Sequence, residues 1–456
     1  MINNMIKHIL KSLLGSVVAL GLMTSCGEDR SGEYYALIGT QTWIYHTMQE
    51  NYLYYEDLPA EEGLNFFTKP QPFLASLLSD KDQKNGVKFS HVDSIYTATK
   101  SRANSYPSFG IQGAMIRVPN GSEAIRILYT ESDSPAEEAA LKRGDWIIAA
   151  NGKKINSNSY TQFISRPTEA CTFTLGSFNG EGFDTLNVVQ MPAPRVVVPH
   201  DLLESHFITS GNRKALYLLY NEFGEDQEQL KKLFQQMAGQ TFDDVILDLR
   251  YNPGGYVTTS QVLTSNLAPA EAMNQPFLKM TSNDKLNKTE IYKLDPSLLG
   301  GGAPLNYQNL YVITTNNTAS ASEILINGLR PYMKGRLFQV GTATFGKNVA
   351  QTRFFNEQTP QVELWLTTFS LTNSEDFGDY YANGLVPDYE QREDLAGELG
   401  QLGTEHDSLL LPVLHHMANG SFPSIPTETK VGRGRQFEIL YHSVSEKDKW
   451  LKVESK

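Results

Sequence analysis

Ser320 and Lys347 are the two residues of this sequence best suited to nucleophilic catalysis. Ser320 stands in Asn317-Thr318-Ala319-Ser320-Ala321-Ser322-Glu323, after an apolar run ending at Thr314 and before Ile324-Leu325-Ile326-Asn327. With Glu323 three positions on, it fits the capping-box pattern, so one reading is that Ser320 simply starts a helix. A helix mouth also offers N–H groups and the positive dipole end to an incipient oxyanion, so the same place suits a nucleophile. Lys347 lies in Thr344-Phe345-Gly346-Lys347-Asn348-Val349-Ala350-Gln351. As a general base it must be neutral near pH 7, roughly 3 pKa units below its free value of about 10.4, at a cost of about 4 kcal/mol. A solvated surface lysine is the plain alternative. The third stretch is Leu249-Arg250-Tyr251-Asn252-Pro253-Gly254-Gly255. Asn-Pro-Gly-Gly is turn chemistry, and its two glycines let backbone approach a ligand closely and aim N–H groups at an anion.

The elements needed to hold these stretches are legible as periodicities. Val245 to Leu249 is an apolar run broken only by Asp248, and Leu310 to Thr314 is another; both read as buried parallel strands, whose carboxyl ends are where open α/β sheets build sites. A strand over Lys214 to Tyr220 precedes an amphipathic helix over Asp226 to Gly239, with Leu230, Leu233, Phe234 and Met237 as its core stripe. Strand, helix, strand and a later strand-to-helix step predict an α/β core with crossover helices. Upstream, short alternating runs predict strands over Ile111 to Val118, Ala124 to Tyr129, Trp146 to Ala150, Thr172 to Leu175 and Thr185 to Val189. Between them, Ser134 caps a short helix with Pro135 in its first position. Residues Thr40 to about Leu78 read as helical, with Trp43, Met48, Tyr52 and Tyr55 near helical spacing.

The stretch SPAEEAALKRGDWIIAANGKKI, Ser134 to Ile155, resembles the helix, turn, strand and Asn-Gly turn of PDZ domains, and SFGIQG, Ser108 to Gly113, stands where such a domain has its carboxylate-binding loop. In combination with it, TASASE, FGK with glutamine four places on, and DLRYNPGG resemble the signatures of the carboxyl-terminal processing proteases, also called tail-specific proteases. The resemblance covers roughly Ser108 to Asp388, including Asn383-Gly384-Leu385-Val386-Pro387-Asp388. It implies a serine endopeptidase with a crotonase-like α/β core. Ser320 would attack the scissile carbonyl, Lys347 would take its proton, and Gln351 would orient the lysine. Backbone N–H groups of Gly254 or Gly255 and of Ala321 would hold the oxyanion. The substrate would be a polypeptide whose C-terminal segment adds to a strand edge, its carboxylate caught by loop amides at Phe109, Gly110 and Ile111. No cofactor or metal is implied. Residues Lys347 and Gln351 would meet on a helical turn, whereas along a straight strand they stand about 13 Å apart; either the segment bends or Gln351 reaches.

Lys7 and Lys11 precede an apolar run from Leu13 to Met23, followed by Thr24-Ser25-Cys26, which reads as a secretory signal. The segment resembles a bacterial lipoprotein signal, implying cleavage before Cys26, acylation of that cysteine and an outer-membrane lipoprotein of the cell envelope. Loss of residues 1–25 moves the net charge from −12 to −14, which argues against nucleic acid as a partner. Cys171 would then have no intramolecular partner and reads as a small buried hydrophobe. The predicted organisation is multidomain α/β: signal peptide 1–25, helical N-terminal segment 26–104, PDZ-like β-rich domain 105–195, peptidase core 196–395 and C-terminal extension 396–456. The competing functional reading is a catalytically silent PDZ-type peptide-binding lipoprotein. Neither HExxH nor GxxxxGK[ST] occurs in the sequence.

Overall fold

A computed structural model describes residues 31–94, 106–157, 159–356, 362–424, 437–444 and 451–453. The signal-peptide and Cys26 lipidation expectations lie outside the described residues. The N-terminal segment opens with helices α1 (Ser31–Asn51) and α2 (Pro70–Leu77), then strand β1 (His91–Ser94). Met48 and Tyr52 are buried against Phe73, Leu74 and Leu77, as the helical spacing requires. Leu364 and Leu366 belong to the same apolar cluster.

The β-rich domain carries β2 (Ile111–Arg117), β3 (Glu123–Thr130), β4 (Trp146–Ala150), β5 (Thr172–Phe178) and β6 (Phe183–Gln190), antiparallel in that order. Ser134 caps the Pro135–Glu138 turn by accepting the Glu137 N–H at 3.2 Å. Cys171 is buried in this domain's core, and burial pushes its thiol up to about 11.

The peptidase-motif region starts with β7 (Leu202–Ser210) and β8 (Arg213–Tyr220), then α3 (Glu228–Met237), β9 (Asp244–Asp248), β10 (Gly255–Tyr256) and α4 (Val257–Leu267). It continues through β11 (Pro276–Thr281), β12 (Thr289–Lys293), β13 (Asn309–Thr314), α5 (Ala321–Leu329), β14 (Leu337–Gly341), β15 (Val349–Phe355), β16 (Val362–Thr372) and β17 (Tyr389–Glu390). One sheet has the order β7-β8-β9-β13-β14-β17 and is parallel from β8 onward. Alternate residues of its strands enter two different cores. Leu216, Leu218, Val245, Leu247, Leu310 and Val312 pack toward α3, α4 and α5. Tyr217, Leu219, Ile246, Tyr311 and Ile313 face the β-rich domain and helix α6 (Leu411–Asn419). Burial on both faces is why these strands read as continuous apolar runs.

Long-range pairings join the segments. The N-terminal segment meets the core where β1 pairs with β16. The part after residue 396 is joined to the rest at three places. Helix α6 packs on the parallel sheet, β18 (Glu438–His442) extends the β-rich sheet beyond β2, and β19 (Leu451–Val453) lies between β10 and β15 in the second core sheet. The strand pairings among these joins link residues from 101 to 328 positions apart, which no local periodicity reports.

Candidate active site

The loops that follow the adjacent parallel strands β9 and β13 are tied together by hydrogen bonds. Thr318 Oγ1 donates to the Leu249 carbonyl at 2.7 Å, Thr315 Oγ1 donates to the Arg250 carbonyl, and the Ala319 N–H donates to the Asn252 carbonyl at 3.1 Å. This stitching brings the glycine turn against the serine. A Cβ on Gly254 would stand 2.6 Å from Ser320 Cβ and 3.0 Å from the Ala321 nitrogen, and Gly254 has φ 111°, so both space and backbone demand glycine. The Gly254 N–H itself donates to Asn252 Oδ1 at 2.9 Å, so within the turn it is committed to Asn252. Ala321 opens α5, where an N–H has no acceptor within its own helix.

Ser320 has φ 62° and ψ −112°, a backbone conformation rare for a residue with a Cβ. Its side chain is fully buried, and among the described residues its Oγ has no hydrogen-bond partner. A buried hydroxyl without a partner costs stability, and such costs concentrate at sites of chemistry. The Ser320 N–H donates to Glu323 at 2.7 Å, as the glutamate of a capping box accepts from its N-cap residue.

Glu323 does more than cap. Its buried carboxylate also accepts the Lys347 N–H at 2.8 Å, the Gly346 N–H at 2.6 Å and Thr344 Oγ1 at 2.5 Å. One side chain thereby clamps the serine helix to the lysine loop. Burial pushes it up to about 7, against the pull of those donors.

Lys347 is fully buried, with Nζ 5.1 Å from the centre of the Phe89 ring. It lies ahead of β15, and β15 carries a bulge between Ala350 and Gln351. The segment therefore bends, which answers the question of reach: Lys347 Nζ donates to Gln351 Oε1 at 2.5 Å. The chain of donors continues from Gln351 Nε2 to Thr367 Oγ1 at 3.0 Å and from Thr367 Oγ1 to Asp82 Oδ1 at 2.5 Å. Tyr52 OH donates to the other oxygen of Asp82 at 3.0 Å.

Asp82, Phe89 and Thr367 are residues that sequence reasoning missed. Asp82 sits in a short polar turn and Thr367 in an alternating strand, and neither context differs from a surface one. Burial pushes the Asp82 carboxyl up to about 6, while hydrogen bonds from Ser90, Thr367 and Tyr52 pull it down. A carboxyl raised above its unfolded value binds a proton in the folded state that the unfolded chain releases. Stability from this group is full below about pH 4 and is lost as pH rises through 6. The Asp82→Asn variant is expected to lack that slope. Urea unfolding at pH 4, 5, 6 and 7 should show wild type losing up to about 3 kcal/mol relative to the variant across the window.

Phe109, Gly110 and Ile111 are not part of this cluster; they begin the β-rich domain. Phe109 is fully buried in that domain's core, edge-on to Phe173. The Gly110 N–H donates to Ser108 Oγ at 3.2 Å, and Gly110 takes φ 75° where a Cβ would stand 2.3 Å from Ser134 Cβ.

Residues 214–391 match the family described as Peptidase family S41, and residues 39–91 match the Peptidase S41 N-terminal domain. A crystal structure of a Bacteroides fragilis protein assigned to the S41 proteases is 31% identical with a TM-score of 0.73, covering 83% of this chain and 97% of that one. A carboxyl-terminal-processing protease of Picosynechococcus sp. is 26% identical over 307 residues, 64% of this chain and 69% of its own length. The chloroplastic carboxyl-terminal-processing peptidase 3 of Arabidopsis thaliana is 26% identical over 239 residues. That alignment takes in 48% of this chain and 42% of the plant protein, so the chain spans less than half of that relative. With these two matched regions and a solved relative 31% identical that covers 83% of it, the chain belongs to peptidase family S41.

Proposed function

We propose that the chain is a serine endopeptidase of the carboxyl-terminal processing kind, acting on unfolded polypeptides or C-terminal tails through a Ser320–Lys347 pair. The observation that carries this reading is a buried, partnerless Ser320 hydroxyl at a strained backbone, locked by Glu323 to the loop that bears a buried lysine. A neutral lysine has two N–H groups and one lone pair. With one N–H given to Gln351, a neutral Lys347 takes the Ser320 proton on its lone pair. The N–H groups of Ala321 and Gly255 then stabilise the oxyanion, Gly254 being engaged by Asn252. On return, the lysine hands the proton to the leaving amine. Water repeats the cycle on the acyl-enzyme, so each step conserves its proton.

On this reading, the parallel sheet with its helices is a crotonase-like core. Residues 105–195 form a PDZ-like module that takes a substrate's C-terminal segment along β2. Cys26 carries a lipid that tethers the enzyme to the outer membrane, a reading supported by Lys7, Lys11, the apolar run and the small residues before Cys26.

The test uses residues 27–456 and a denatured reporter protein ending either in a free carboxylate or in an amide. Wild type is expected to cleave both, with the free-carboxylate form favoured at least fivefold in kcat/KM. Ser320→Ala is expected to cleave neither. Equal hydrolysis by wild type and Ser320→Ala would refute the peptidase assignment, and equal kcat/KM for the two reporters would refute C-terminal recognition.

A further inference from the structure

Two strand edges in this protein are filled by one stretch of its own chain. In the β-rich sheet, β2 would be an edge strand but for β18, which pairs with it antiparallel in the register Glu438↔Arg117, Ile439↔Ile116, Tyr441↔Met115 and His442↔Ala114. The pairing runs on through Ser443, whose N–H donates to the Gly113 carbonyl at 3.0 Å and whose Oγ accepts the Gly113 N–H at 3.0 Å. Side chains seat the strand as well as its backbone. The Tyr441 ring lies 4.3 Å from that of Tyr160, Glu438 pairs with Arg117, and Val444 is fully buried. In the core, β19 lies parallel to both Gly255–Tyr256 and Gln351–Thr352. It thus fills the slot between the glycine turn and the strand that holds the lysine's partner.

An unpaired strand edge is a template for an incoming polypeptide. These two edges are the ones at which the proposed peptidase must receive substrate, so the inference rests on that reading. We infer that residues 437–444 and 451–453 form a built-in strap that competes with substrate for both the β2 edge and the catalytic slot. The strap has the polarity of a ligand at β2, since it runs toward Gly113 and the Phe109–Gly110 loop. Its order along the chain is the reverse of a substrate's. A substrate held by its free C-terminus at that loop would pass the catalytic slot first and reach β2 last. The strap reaches β2 first and the slot afterwards, so it covers both without the path of a tail to be cut. Catalysis then requires the strap to leave, and a polypeptide of higher affinity for the β2 edge is the agent that displaces it.

The test keeps the full chain and loosens the strap at two places. In Leu440→Asp/Tyr441→Asp, charges enter the contact with Tyr160. In Ser443→Pro, the N–H donated to Gly113 is removed. Hydrogen exchange at Ile111–Arg117 reports release of the edge. Both variants are expected to exchange faster there and to cleave an unfolded reporter with KM lowered at least fivefold and kcat within twofold of wild type. A synthetic peptide of residues 437–453 is expected to restore the higher KM competitively. A parallel arm in the Ser320→Ala background measures binding of a labelled unfolded polypeptide, which should tighten at least fivefold on release. Because that arm needs no catalysis, it stands even if no variant hydrolyses anything, an outcome that would overturn the peptidase reading alone. Faster exchange at Ile111–Arg117 with unchanged KM and unchanged affinity would overturn the strap.

Discussion

Lys347→Met is expected to fold with stability at or above wild type and to lose about four to six orders of magnitude in kcat. Ser320→Ala should lose about as much, and the double variant no more than either alone. Non-additivity is the signature of a nucleophile and base that act as a unit, because the serine without its base is as idle as the base without its serine. Stability should move the other way. Lys347 is fully buried, and methionine fills similar volume without a polar head to satisfy. Single-turnover kinetics with the unfolded reporter, beside urea unfolding of each variant, separate the two effects. If Lys347→Met keeps more than a tenth of wild-type kcat, the lysine is not the base.

Arg250→Met is expected to cost about 3 to 5 kcal/mol, a large share of the 5 to 15 kcal/mol that holds a typical domain together. Arg250 is fully buried beneath the glycine turn. Its guanidinium reaches Asp248 at 2.6 Å, Asp407 at 2.5 Å and Glu393 at 3.0 Å. Glu393 also pairs with Arg143 of the β-rich domain and accepts Tyr251 OH at 2.7 Å. Burial alone would raise Glu393, yet Arg143 and Arg250 hold it down to about 2. Without Arg250, Asp248 and Glu393 lose the neighbouring charge that pulls their carboxyls down, so each gains from taking a proton. The stability deficit of the variant should therefore shrink as pH falls from 7 toward 4. Urea unfolding across that range measures it, and a deficit under 1 kcal/mol at pH 7 would mean that the network contributes little. Since the Arg250 carbonyl accepts Thr315 Oγ1, the same network supports the loop carrying Ser320.

How much of this could be read from the sequence depended on the range over which each signal acts. The run Val245 to Leu249 became β9 and Leu310 to Thr314 became β13, because burial on both faces forces unbroken apolar strands. Glu228–Met237 followed from a stripe at helical spacing, and the Asn-Gly turn region of the β-rich domain from local turn chemistry. Ser320, Lys347 and the glycine turn, the residues proposed for the chemistry, could be singled out because each stands in a short local pattern. What escaped was built from contacts between distant parts. Asp82 reaches the lysine only because the N-terminal segment packs on β16, and it looks like any solvated aspartate. The bulge at Ala350–Gln351 has no residue signature, so the bend joining Lys347 to Gln351 could not be foreseen. Residues 437–444 mix polar and apolar side chains without a clear period, and their partner strand lies more than 300 positions earlier.

The account turns on Ser320 being activated by Lys347, and covalent trapping tests that most directly. Wild type, Lys347→Met and Ser320→Ala would be treated with an alkyl fluorophosphonate between pH 6 and 9, and the adduct mapped by peptide mass spectrometry. The account predicts one adduct, on Ser320, formed at least a hundredfold faster in wild type than in Lys347→Met and absent in Ser320→Ala. An adduct on another residue, or equal labelling rates with and without Lys347, would contradict it.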